Sequence, residues 1–142
     1  MPTTAAAILD LRGLQPWSDP FLARLADVKI APSVILASGV VLGELTAQPG
    51  TYGAYGAQHI DGTQIPKGIL AYDVQTDAGG SISLTGLVAP FGVPAPTVQS
   101  VGMYYTGVFA CSELTGMDAN ALAVLGGHLI SGDLTSGVVC IG

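Results

Sequence analysis

Twenty glycines and nine prolines interrupt this 142-residue chain from one end to the other, and that punctuation limits what it can fold into. Proline costs a helix interior about 3 kcal/mol relative to alanine, and glycine about 1 kcal/mol. Long helices are therefore disfavoured over most of the length. Thr, Ser and Val fill the intervals, a composition that suits many short strands joined by tight turns. The length suits one domain with an appendage.

Charge divides the chain in two. Only 10% of residues are charged while 49% are hydrophobic, against a usual charged share of about 25%. A surface so poor in charge is most simply reconciled with solubility if partner subunits cover much of it. The net charge is −6, and the four basic residues are Arg12, Arg24, Lys29 and Lys67. Nucleic-acid binding has no basic footprint to work with. Three of the four lie in the first 29 positions, where Asp10, Asp19 and Asp27 balance them; from Ile30 onward there are seven acids and one lysine. Ser81 to Ala110 carries no formal charge, but its prolines, glycines and alternating Ser/Thr exclude a membrane-spanning helix. No secretory signal is read in "MPTTAAAILDLRG", which lacks a basic start and is broken by Asp10 and Arg12.

Residues 1 to 30 read as an extended arm, and residues 31 to 142 as a β-rich body. In the arm Ile8, Leu9, Leu11, Leu14 and Trp17 are too scattered to build a core, so they order best against something else. "SDPFLARLADVKI" offers Ser18 as an N-cap, with Phe21, Leu22, Leu25 and Val28 at helical spacing, and predicts a two-turn helix. In the body, "SVILASGVVLGELTA" gives two apolar runs separated by Ser38-Gly39. A strand is predicted from Gly68 to Val74, with Ile69 and Ala71 on one face and Leu70 and Tyr72 on the other. A polar turn at Asp77 to Gly80 leads into the next strand. "VGMYYTGVFACSEL" suggests a strand pair around Gly107. "MDANALAVLGGHL" predicts a helix capped by Asp118, and "SGVVCIG" a terminal strand.

The constellations that would carry chemistry are weak. Asp73 and Asp77 flank a turn but lack the alternating acids and closing Glu of a calcium loop. His59, His128, Cys111 and Cys140 show none of the short spacings of zinc sites. Cys111 in "FACSEL" has only its residue type in favour of a nucleophile, and both cysteines read as small hydrophobes. No phosphate-binding glycine pattern is present. No catalytic, cofactor or metal residue is assigned. The candidate functional residues are those of the arm: Leu9, Leu11, Arg12, Leu14, Trp17, Phe21 and Arg24.

Four motifs in order carry a family resemblance: the "VLG" strand, "PKGILAYD", "GVFACSEL" and "LTGMDANALAVLGG". Together, from about Ser33 to the C-terminus, they resemble the head decoration proteins of tailed bacteriophages, relatives of the lambda capsid-stabilising protein. The resemblance implies a compact, mainly β, barrel-like domain with one or two short helices and an extended N-terminal arm. It implies a homotrimer on the outside of the expanded head, at local threefold positions, where it holds neighbouring major capsid proteins together. It also implies that the N-terminal segment contacts the shell, that no catalysis or cofactor is involved, and that the protein is found in the host cytoplasm during assembly. The arm's length and its Trp17 match no family motif. The alternative is a trimeric receptor- or glycan-binding module of a virion, with Tyr52, Tyr55, Tyr104 and Tyr105 stacking on sugars. A small hydrolase using Asp73 or Cys111 is more remote.

Overall fold

A computed structural model describes residues 23–84 and 97–142. The strands are β1 (Arg24–Ile30), β2 (Ile35–Leu36), β3 (Val41–Glu44), β4 (Thr51–Ala54), β5 (Pro66–Leu70), β6 (Val74–Thr76), β7 (Ile82–Leu84), β8 (Thr97–Val98), β9 (Val101–Ala110), β10 (His128–Ser131) and β11 (Val138–Ile141). Among the described residues, one helix, α1 (Ala119–Val124), and a 3-10 turn at Cys111–Glu113 accompany them. The fold is mainly β, as expected.

Five strands close a ring. β1 pairs with β4, β4 with β3, β3 with β5, β5 with β9, and β9 returns to β1. Closure leaves no edge within the ring. Val28, Ile30, Leu42, Leu70, Val101 and Met103 from four of these strands form one buried cluster, with Tyr52 of β4 packed against it. Val74 and Ile82 join that cluster from a second sheet of order β2-β6-β7-β8. The opposite faces of β3, β5 and β9 build a second cluster around Val41, Ile69, Tyr104 and Phe109, covered by Ala121 of α1 and Val139 and Ile141 of β11. Every strand of the ring therefore has an apolar inner face, and three are buried on both.

The helix predicted through Val28 is corrected where it is described: Arg24–Ile30 is a strand. Leu25, Ala26, Asp27 and Val28 pair with β9, and Lys29 and Ile30 with β4. Val28 and Ile30 are buried while Asp27 and Lys29 are exposed. That is a two-residue period, and backbone partners on both flanks outweigh what two helical turns supply alone. The last seven residues assigned to the arm thus belong to the sheet. The strand predicted over Gly68 to Val74 is split: Leu70 ends β5, and the chain passes through Ala71 to Asp73 into β6 of the second sheet. The facing holds for Ile69 and Ala71 against Leu70, while Tyr72 touches both clusters. The pair expected around Gly107 is instead one ten-residue strand. Gly107 has φ +148°, and a Cβ there would sit 2.8 Å from the Phe109 ring. Glycine accommodates this backbone and the close ring without ending the strand, and β9 passes from β1 to β11.

Candidate interaction surface

Of the arm residues singled out, Leu9, Leu11, Arg12, Leu14, Trp17 and Phe21 lie outside the described residues. Arg24 is described and opens β1, where it is exposed and opposite Thr106. Ala23 beside it packs on the Phe109 cluster, so the root of the arm is fixed to the body. The register slips between Arg24 and Leu25, leaving Tyr105 as the extra residue of a bulge on β9. Leu25 is 50% exposed and Tyr105 44% exposed. The arm therefore joins the barrel beside an apolar, partly aromatic patch.

Both aspartates weighed for chemistry are occupied within the fold. Asp73 Oδ1 accepts from the Ser38 amide at 2.7 Å, so it ties β6 to the turn before β3 instead of shaping the hairpin tip. Asp77 does shape the tip: its Oδ1 accepts from the Gly79 and Ser81 amides, each at 2.9 Å. Cys111 is buried, and its thiol is pushed up first by that burial and then by the charge of Asp133. An activated thiolate needs the opposite environment. Cys140 is only half-buried, and both cysteines are free thiols.

The tyrosines do not form a stacking platform. Tyr104 is buried with its ring centroid 5.1 Å from that of Phe109, and Tyr55 is buried with its hydroxyl 3.1 Å from both carboxylate oxygens of Asp118. Tyr52 is half-buried, which leaves Tyr105 as the exposed one of the four.

One group was not anticipated. In the loop between β4 and β5, the Thr63 hydroxyl donates to Asp61 Oδ1 at 2.5 Å, and His59 Nδ1 lies 2.7 Å from the same hydroxyl. The residue types suggest a nucleophile with its base, but Thr63 is buried and its proton is committed to the carboxylate. The hydrogen bonds from Thr63, side chain first, hold the Asp61 carboxyl below its ordinary range. The group braces a loop whose tip, Ile60, is 96% exposed. The spacing "HIDGT" contains the turn signal but not the brace, which depends on the loop crossing β3.

Among the described residues are two open clefts of about 330 Å³ and about 280 Å³. Lys29, Thr51, Gln48 and Gln99 line the first, and Glu44, Gln64 and Lys67 the second. Among the described residues no three of His, Cys, Asp and Glu gather as metal ligands, and no helix is long and apolar enough to cross a membrane. What the outer surface offers instead is apolar contact: Leu25, Ile35, Ile60, Ile65, Leu129 and Ile130 are all exposed. No family model, no curated protein and no solved structure matches this chain.

Proposed function

We propose that this protein is a capsid decoration protein: a homotrimer that binds the outside of an expanded phage head and holds neighbouring major capsid proteins together. The observation that carries the reading is a closed β body whose buried polar side chains are spent on internal bonds while several large apolar residues face outward. Among the described residues, no buried side-chain nitrogen or oxygen lacks a partner. Such a body suits a rigid clamp better than a reaction site. The four motifs that resemble the decoration family are also supportive, since they fall on β3, on β5 with its exit, on β9, and on the segment of α1, each of which contributes to the Phe109 cluster.

Binding energy in this reading comes from repeated weak contacts. Each subunit adds its arm and its apolar patch, and three linked subunits act at high effective concentration. Whatever binds the assembled lattice but not its separated parts stabilises the lattice by mass action.

The experiment is sedimentation of purified protein with cognate expanded shells, comparing the full chain with a chain lacking residues 1–17 and with Trp17→Ala. The full chain is expected to co-sediment and both variants to bind more weakly, with unchanged circular dichroism of the body. Equal occupancy for all three would remove the arm from the mechanism.

A further inference from the structure

The large sheet ends in an unusual strand. β10 pairs with β11 on one side, and its other side has no strand partner among the described residues. All four of its residues are exposed, including Leu129 and Ile130. Free edges are normally blunted by lysine, proline or inward charge. This one has none: no formal charge occurs between Asp118 and Asp133. The second sheet has a comparable edge in β2, which among the described residues pairs with β6 alone. Ile35 there is 75% exposed, and residues 30 to 43 are likewise without formal charge.

Elsewhere the body is acidic, since the described residues contain eight acids against three bases. Like charges brought together at a contact are costly. Two copies therefore meet at least cost through the uncharged edges. A ring of three needs a heterologous contact, in which one patch meets a different patch on the next subunit. We infer that the β10 edge of one subunit docks on the β2 edge of the next, with Ile130 and Ile35 at the contact. This inference rests on the trimeric part of the proposed function.

The test is the solution mass by light scattering of the full chain, Ile35→Glu, Ile130→Lys and the double variant. Both positions are exposed, so far-ultraviolet circular dichroism of each variant should match the unsubstituted protein. The unsubstituted protein is expected to have the mass of three chains. Each single variant should fall roughly threefold, to one chain. The double variant should return toward three, because glutamate then faces lysine at every contact. Misfolding would not be rescued in this way. A dimer lost only with Ile130→Lys would overturn the inference in favour of β10 pairing with itself. A trimeric mass unchanged by either substitution would overturn it in favour of another occupant of the edge, such as residues 1–22. A monomeric mass for the unsubstituted protein would overturn it outright. None of these readouts uses shells, so shell binding stands or falls separately.

Discussion

Tyr55 joins the barrel to the helix through a single oxygen. Its hydroxyl lies 3.1 Å from both Asp118 carboxylate oxygens and accepts from Asn120 Nδ2 at 3.0 Å. Asp118 Oδ1 also caps α1 by accepting from the Ala121 amide at 2.7 Å. Hydrogen bonds to charged groups are worth about 1.5–3 kcal/mol each, so Tyr55→Phe is expected to lower unfolding free energy by about 2 kcal/mol in a urea titration. Acid is the second residue-scale test. Thr63 holds the Asp61 carboxyl low, and the Ser136 and Thr135 amides do the same for Asp133. Both folded values lie below the unfolded ones. Their stabilisation is therefore present above about pH 4 and lost as the pH falls through the folded values. The expected Tm profile drops on the acid side, and less steeply for the Asp61→Asn, Asp133→Asn double variant; parallel profiles would contradict the assignment. At neutral pH a thiol reagent should modify half-buried Cys140 well before Cys111, whose burial and raised pKa protect it.

At the scale of elements, the close crossing of the β4–β5 loop over β3 sets a steric requirement. A Cβ on Gly43 would lie 2.7 to 2.8 Å from the backbone of Thr63 and Ile65. Backbone held by the Asp61 brace cannot yield cheaply, so Gly43→Ala is expected to cost about 1–3 kcal/mol, measured by chemical denaturation. A neutral substitution would mean that the loop is mobile. Much of the local architecture was legible from sequence because local chemistry decides it. Asp118 begins α1, Asp77 shapes its turn, and the Ile69/Leu70 alternation separates two cores. Arg24–Ile30 was misread because Leu25 and Val28 satisfy a helical spacing, whereas the strand is decided by partners about 20 and 75 residues away. β4 and β10 were missed for a related reason. Thr51–Ala54 is small and glycine-broken, and His128–Ser131 has no buried face to leave an alternating pattern. The Thr63 brace was illegible because it is made by a loop folding over a distant strand.

For the whole molecule, closure is the property that serves the proposed role. A barrel closed by β1 on β9, with a second sheet on its apolar interior, can carry load between the arm and the outer surface without exposing new edges. In the proposed role, function then lies in what the surface touches. The measurement that tests this most directly is the melting of cognate expanded shells with and without saturating protein, using unexpanded shells as the control. The expected result is a rise in the melting temperature of expanded shells that saturates at three chains per local threefold position, with no shift for unexpanded shells. No binding to expanded shells, or an equal shift for both forms, would contradict the reading.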